Sequence, residues 1–481
     1  MTLPEGSLLI GGEWRSDGSA GVYEHVNPAT GEPQAKVTLA GASDIDDAVA
    51  SSADAFAAWR HTPGPARREI LLRLAALIRQ HASELGIIAT LESGAPVAIS
   101  GRTVQSPAEW FSYYAGWADK LTGDVVPVAG GALDYTRPEP YGVVGAIVPW
   151  NAPFLVGAMK VAPALAAGNC VVLKPPELSP FTCIRLGQLA LDAGLPPGVL
   201  NVVTGGAEAG GALVRHPDVA KVSFTGGVDV GRLVARAAGE ALKPVLLELG
   251  GKSASIVFDD ADLDVAVPLT VGLLLSMAGQ GCALPTRLLV QDGVYDEVVE
   301  RTRQVATSAT VGDPLDPATE MGPIISERHC HRILSLIDGA RSSGSGRLLT
   351  GGKRMHGDLA RGWFIEPTLF AEVDNASPIA QEEIFGPVLA ITRFTDEAHA
   401  VALANDSRFG LAAYVQTRDL ARAHRVAAAL DAGFVSVNSK PLVSPPTPFG
   451  GVKHSGFGRE GGLEGLREFL ATKNVCVGLD S

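Results

Sequence analysis

The chain has 481 residues, 46% of them hydrophobic and 19% charged, with a formal net charge of -13. That apolar content supports large cores shared among two or three domains and excludes a disordered chain. The acidic balance, without any basic block, excludes nucleic acid as the main partner, because phosphate binding needs clustered Lys and Arg.

From the start of the chain, residues 1–6 show no positively charged region ahead of an apolar stretch and do not read as a secretory signal. Residues 43–59 and 67–91 predict two amphipathic helices. The first is capped by Ser43, and the second buries Leu71, Leu72, Leu74, Ala75 and Ile78. Residues 121–140, rich in Gly and Val, predict an exposed hairpin.

From 143 onward, short β-branched runs alternate with helical segments. Strands are expected at 143–148, 170–173, 199–203, 222–224 and 245–247, with helices at 154–167, 181–193 and 228–241 and a short one after 203. This alternation predicts a parallel sheet covered on both faces, with ligands beyond the carboxyl ends of its strands. Two glycine-rich turns, 205–210 and 225–231, compete for a phosphate, since each opens a helix whose free N–H groups favour an anion. Each serves equally well as a plain strand-to-helix turn. After the second, Val230, Leu233, Val234 and Ala237 have the spacing of a packed helix face.

Residues 252 to about 454 read as a second α/β unit, with strands at 288–290 and 389–391 and a helix at 295–307. A helix from Leu463 returns to the first unit. The closing run, 474–479, is a strand pattern in need of a partner, which a dimer contact would supply. The longest apolar runs, such as 265–275, are too short and too interrupted to cross a bilayer, so a cytoplasmic protein without membrane contact is expected. Cys170, Cys183, Cys282, Cys330 and Cys476 are odd in number and widely spaced, which disfavours a disulfide framework or a zinc site and predicts reduced thiols.

The most informative pair is Glu248, which closes an apolar run before Gly250-Gly251, and Cys282, 34 positions later. A thiolate can attack a carbonyl and hold the product as a thioester, which a carboxylate-activated water then cleaves. Alone, a Cys in an apolar run is more often a buried hydrophobe and a Glu more often solvated surface. The setting of Glu248 can raise its pKa toward that of a working base.

Several motifs occur in one order along the chain. They are Gly11-Gly12-Glu13-Trp14, Asn27-Pro28-Ala29-Thr30-Gly31, Pro149-Trp150-Asn151, Lys174-Pro175-Pro176-Glu177 and Phe224-Thr225-Gly226, followed by Glu248-Leu249-Gly250-Gly251-Lys252, Gly279-Gln280-Gly281-Cys282, Glu383-Ile384-Phe385-Gly386-Pro387 and Pro448-Phe449-Gly450-Gly451-Val452-Lys453. Together they resemble the aldehyde dehydrogenase superfamily, in its non-acylating, NAD(P)-dependent form. The resemblance implies Cys282 as nucleophile, Glu248 as base and Asn151, with the Cys282 backbone N–H, as the oxyanion hole. Lys160 corresponds to a lysine near the base's proton path, although on its helix it reads equally as an exposed residue.

For the cofactor, the resemblance assigns Lys174 and Glu177 to the adenosine ribose and Glu383 and Phe385 to the nicotinamide ribose and ring. Pro149, Trp150, Phe224, Thr225, Gly226, Gly227 and Leu249 complete that set. A carboxylate at Glu177 accepts from a ribose 2′-hydroxyl and repels a 2′-phosphate, which favours NAD over NADP. The implied fold is α/β, with a Rossmann-like parallel-sheet cofactor domain at 1–121 and 141–250, to which 455–468 returns. A second α/β catalytic domain spans 251–454, and 122–140 with 469–481 form a small β oligomerisation arm of a homodimer or homotetramer.

The chain also departs from the family pattern. Gly227 and Val228 stand where hydroxyl residues are usual, which removes a side-chain donor to the pyrophosphate and predicts weaker cofactor binding. Ala152, Gly281 and Ala283 are small, and with Phe154, Met159, Trp110, Tyr114 and Trp117 as apolar walls they predict a wide tunnel for a bulky or aromatic aldehyde. Glu248 argues against a relative that passes its acyl group to coenzyme A or phosphate, and the intact Cys282, Glu248 and Asn151 argue against a non-catalytic protein. No metal is expected, and consecutive His329, Cys330 and His331 read as structural residues on a helix surface.

Overall fold

The computed structural model describes residues 3–440 and 443–479. The expectation for Met1 and Thr2, and the outermost or inner parts of the expected segments at 441–442 and 480–481, lie outside the described residues. The fold is mixed α/β, built around two sheets of mainly parallel strands.

The first sheet has eight strands, in the order Gly456–Phe457, Val245–Glu248, Val219–Thr225, Val143–Ile147, Cys170–Lys174, Leu200–Val202, Leu8–Ile10 and Glu13–Arg15. The five central strands run parallel. Every residue of Val143–Ile147 and Cys170–Lys174 is buried, as expected where helices cover both faces. From Val143–Ile147 the chain builds outward in one direction through 170 and 200, then returns to add 219 and 245 on the other side. That reversal creates a crevice at the carboxyl ends of Val143–Ile147 and Val219–Thr225, where such sheets bind ligands.

The helix Pro153–Ala167 crosses beneath this crevice and is apolar nearly all round, so it is buried nearly all round. It begins on Pro153, whose missing N–H costs nothing at a helix start, and stops at Gly168, whose φ of 96° lies in the left-handed region.

The second sheet has seven strands, in the order Arg347–Thr350, Thr368–Ala371, Val388–Phe394, Pro285–Gln291, Ser253–Val257, Ala412–Gln416 and Phe434–Val437; only the first pair is antiparallel. A third sheet joins Leu470–Gly478, Ala132–Pro140 and Val125–Val126. The last strand finds a partner within its own chain, in register from Leu470 opposite Pro140 to Gly478 opposite Ala132. No described helix is long and apolar enough to cross a membrane.

Local expectations fail in four places. The first helix is Ala42–Trp59, and its cap is Gly41, not Ser43. Asp44, in the first turn, accepts from the Gly41 and Ser19 backbone N–H groups and from the Ser19 hydroxyl, which satisfies donors that a capping side chain would otherwise take. The expected helix at 67–91 is two helices, Gly64–Gln80 and Ala82–Ser93, broken at His81. After the break, Glu84 is held by His81 and by Arg185 of the helix Phe181–Asp192, a tertiary contact invisible to periodicity. Leu72 is exposed, whereas Leu71, Leu74, Ala75 and Ile78 are buried. On the helix Val228–Glu240, Val234 and Ala237 pack, but Val230 and Leu233 face outward.

Candidate active site

A cavity of about 460 Å³ opens at the crevice. One wall comes from the first sheet, through Pro149, Trp150 and Asn151 after one strand, Thr225, Gly226 and Gly227 after the next, and Glu248, Leu249 and Gly250 after the third. The opposite wall comes from the second unit, through Gly281, Cys282, Ala283, His329, Arg332, Glu383 and Phe385. Residues more than two hundred positions apart thus face one another.

Cys282 is partly buried on the loop leading into the strand Pro285–Gln291. Burial, followed by the nearby carboxyls of Glu248 and Glu383, pushes its thiol well above the ordinary range, so the resting sulfur is protonated. Glu248 ends its strand with its carboxyl buried, and its Oε1 has no hydrogen-bond partner among the described residues. Burial first, then the charge of Glu460, raises its pKa well above that of an ordinary glutamate, against the pull of Lys160. Asn151 Nδ2 donates to the backbone oxygen of Gln280 at 2.9 Å, tying the amide to the Cys282 loop.

Lys160 is fully buried, which overturns the reading of an exposed helix residue. Its Nζ donates to Glu460 Oε1 at 2.6 Å and to Ser223 Oγ at 3.0 Å. Lys160 does not itself line the cavity; Glu460 does. Glu460 escaped the sequence reading because it sits in a short polar segment 300 positions from its partner. The only local signal is the following pair of glycines, Gly461 and Gly462, both at positive φ.

Of the two competing turns, only the second reaches the cavity. The Lys174 ammonium donates to the carbonyls of Gly205 and Pro175, which occupies the first turn. Burial lowers Lys174 to about 8, opposed by Glu177. Gly227 caps the helix Val228–Glu240 without a side chain, and a Cβ there would meet open space. The Thr225 hydroxyl is buried with no partner among the described residues. A pyrophosphate fits such a place, because free N–H groups at the helix start and an unpartnered hydroxyl all lack acceptors. Phe224 does not line the cavity; its ring lies under Gly226, where a Cβ would strike it.

Glu383 Oε1 accepts from Gly251 N–H at 3.0 Å, and burial raises its pKa to about 7. A side chain at Gly250 would collide with that carboxylate. Phe385 holds a φ of 59°, uncommon for a bulky residue, and meets Trp150 edge to face at 5.2 Å. His329 packs on the same Trp150 ring at 5.4 Å, and its Nε2 donates to the Phe385 carbonyl at 2.7 Å. Burial lowers its pKa to about 4, so it is neutral. His329 is therefore part of the cavity wall and not a helix-surface residue, while Cys330 is buried and His331 exposed. No group of three His, Cys, Asp or Glu among the described residues is arranged to hold a metal.

The aldehyde end differs from expectation in its walls. Ala152, Met159, Gly281 and Ala283 line the cavity; Phe154, Trp110, Tyr114 and Trp117 do not. The lining positions along the helix Pro153–Ala167 and its cap are 152, 155, 156 and 159, one helical stripe, and Phe154 falls off it into the core. Trp110 and Tyr114 are fully buried in that same core, where the Tyr114 hydroxyl donates to the Gly462 carbonyl. Leu155, Val156, Met277, Leu284, Val443 and Phe449 supply the apolar surface instead.

Comparison with known proteins agrees with this geometry. The profile of the aldehyde dehydrogenase family matches residues 14–475. The chain is 43% identical to an aldehyde dehydrogenase of Enchytraeus buchholzi over 98% of this chain and 95% of the relative. It is 42% identical to a phenylacetaldehyde dehydrogenase of Pseudomonas fluorescens, over 99% and 96%. Among solved structures, PnpE from Pseudomonas sp. WBC-3 superposes with a TM-score of 0.97 at 40% identity, over 99% of this chain and 98% of that one. PnpE has also been solved in complex with nicotinamide adenine dinucleotide.

Proposed function

The chain belongs to the aldehyde dehydrogenase family, a family of oxidoreductases, and on that premise we propose that it oxidises a bulky or aromatic aldehyde to the carboxylic acid with NAD. The observation that carries the proposal is the meeting of Cys282, Glu248 and Asn151 on one cavity at the strands' carboxyl ends. Cys282 adds to the aldehyde carbon, its proton passing to a base, and forms a thiohemiacetal. Its alkoxide is held by the Asn151 amide and the Cys282 backbone N–H. Bound NAD supplies the hydride acceptor that makes the thioester possible. Glu248 then takes a proton from a water as that water attacks the thioester, and the acid leaves as Cys282 regains its thiol. The Lys160–Glu460 pair, coupled to Glu248, tunes that carboxyl and offers an exit for its proton.

Thr225, Gly226 and Gly227 would hold the pyrophosphate, with Glu383, Phe385, Trp150, Pro149 and Leu249 around the nicotinamide end and Lys174 and Glu177 at the adenosine end. The Glu177 carboxylate supports NAD over NADP. The substrate reading rests on small Ala152, Gly281 and Ala283 together with the apolar stripe of Leu155, Val156 and Met159. The proposed division is a cofactor domain at 1–121 and 141–250 with 455–468, a catalytic domain at 251–454, and an oligomerisation arm at 122–140 and 469–481. The outer edge of Leu470–Gly478, unpaired among the described residues, supports a homodimer or homotetramer. Five free cysteines support a reducing, cytoplasmic setting.

The test is reduction of NAD and of NADP by purified protein across aliphatic, aromatic and carboxylate-bearing aldehydes. Highest kcat/KM for an aromatic or branched aldehyde with NAD is expected. A preference for acetaldehyde or for a semialdehyde bearing a carboxylate would sink the substrate reading, and no reduction with any aldehyde would sink the reaction.

A further inference from the structure

We propose that the chain carries a second ligand site, for a multivalent oxyanion, in the groove between the helix Gly64–Gln80 and the strand Ala132–Pro140. The groove encloses about 430 Å³ and is lined by Arg60, His61, Arg67 and Arg137, with Asp119 and Glu139. It shares no lining residue with the cavity around Cys282.

The charges in the groove do not balance. Asp119 already pairs with Arg68 and Lys120, and Glu139 pairs with Lys473. Arg67 is only 8% exposed. Its guanidinium donates to the carbonyls of Thr62 at 2.6 Å, Ala166 at 3.2 Å and Ala118 at 3.4 Å, and to no carboxylate among the described residues. Those carbonyls fix its orientation without cancelling its charge, and burial lowers its hold on the proton. A buried cation without a counter-charge is costly, and an anion in the groove would remove that cost.

Arg60 and Arg137 add two exposed guanidiniums. Neither makes a hydrogen bond among the described residues, and both reach Glu139 only through space. Arg60 is placed by its stacking on the Phe56 ring, 5.0 Å from its centroid. Three arginines converge here in a chain of net charge -13, so the groove is a local exception to the acidic surface. Planar guanidinium forks match phosphate and carboxylate oxygens two at a time, which selects a compact anion of two or more charges over chloride.

The test uses the full-length protein saturated with NAD, so that the Gly226–Gly227 turn is already filled. Inorganic pyrophosphate and citrate are titrated separately against sodium chloride of matched ionic strength, with binding read by calorimetry and by Tm. Saturable binding with a rise in Tm is expected, weakened about tenfold or more by the double change Arg60→Ser, Arg137→Ser. NAD affinity and anion-free turnover stay unchanged in that variant. Binding of pyrophosphate alone assigns phosphate chemistry, and binding of citrate alone assigns a polycarboxylate. Binding that matched salt reproduces, or affinity equal in wild type and double variant, overturns the proposal. Arg67 is left intact because its three carbonyl bonds hold neighbouring segments together.

Discussion

Lys160 and Glu460 form a buried ion pair, 2.6 Å from nitrogen to oxygen, and both charges act on the carboxyl of Glu248. Glu460 raises the Glu248 pKa and Lys160 lowers it, so the two substitutions should move the enzyme in opposite directions. With Glu460→Gln, the pH at which turnover rises should shift down, on the order of 1 unit, because Glu248 then faces an unopposed cation. With Lys160→Met it should shift up. Either change leaves a buried charge without its partner and should cost about 3 kcal/mol of stability. The kcat–pH profiles and urea unfolding of both variants check this, and shifts in the same direction would break the assignment.

Removing the nucleophile and removing the base should give different failures. Cys282→Ala should abolish aldehyde-dependent NADH formation with little loss of Tm, since the residue is only partly buried at the edge of the core and lines the cavity. Glu248→Gln should retain the first turnover and lose the rest, giving a burst of NADH close to one per site. Steady turnover then falls by about 10²–10⁴, the usual worth of a general base. Stopped-flow fluorescence distinguishes the two, and mass spectrometry of the quenched Glu248→Gln variant should find the acyl group on Cys282.

Gly227→Ser should tighten NAD. The position caps the helix Val228–Glu240 with φ of -71°, and a Cβ meets open space, so serine fits without strain. Its hydroxyl would add one donor toward the pyrophosphate, worth about 1 kcal/mol, or roughly fivefold in Kd. Helix stability should change by only a few tenths of a kcal/mol, the usual difference between Gly and Ser at a cap. A titration of NAD by calorimetry showing no tightening would remove the account of the missing hydroxyl.

His329 should make the fold acid-labile. Its pKa is about 4 in the folded chain against an ordinary 6.5, so above 6.5 it is neutral in both states and contributes nothing to the pH dependence. As pH falls from 6.5 toward 4, the unfolded chain takes up a proton that the folded chain refuses, and stability is lost, by on the order of 3 kcal/mol in all. His329→Gln keeps a donor for the Phe385 carbonyl and removes the titration. Urea unfolding at pH 7 and pH 4.5 should show a smaller drop for the variant than for the parent chain, and equal drops would refute the cause.

Short-range chemistry was legible in the sequence wherever a motif carries its own geometry. The strand-to-helix turn at Thr225–Gly227 and the strand ending on Glu248 follow from residue type and local order, whereas the proposed oxyanion role of Asn151 beside Cys282 comes from the family resemblance, since an Asn after Pro-Trp by itself reads as a turn residue. The failures share another cause. Ser43 lost its cap to Asp44 because a carboxylate reaching back to Gly41 also captures Ser19, 25 positions away. Aromatic residues suit an apolar pocket, which makes Phe154, Trp110 and Tyr114 candidate tunnel walls in the sequence, yet helix phase turns them into the core and gives the cavity to Leu155 and Val156.

What the sequence by itself determined is the alternation of buried strands and helices and the candidate sulfur and carboxyl, because these depend on side-chain type and near-neighbour spacing; the ordered motifs along the chain added the family and, through that resemblance, the candidate amide. Only the tertiary structure decided that Glu460 joins Lys160, that His329 packs on Trp150, and that Lys174 closes one glycine turn while leaving the other open. Those relationships depend on which distant segments share a low-dielectric interior. There, an unpaired charge or polar atom costs far more than it does in water, so partners are chosen by packing and not by order along the chain.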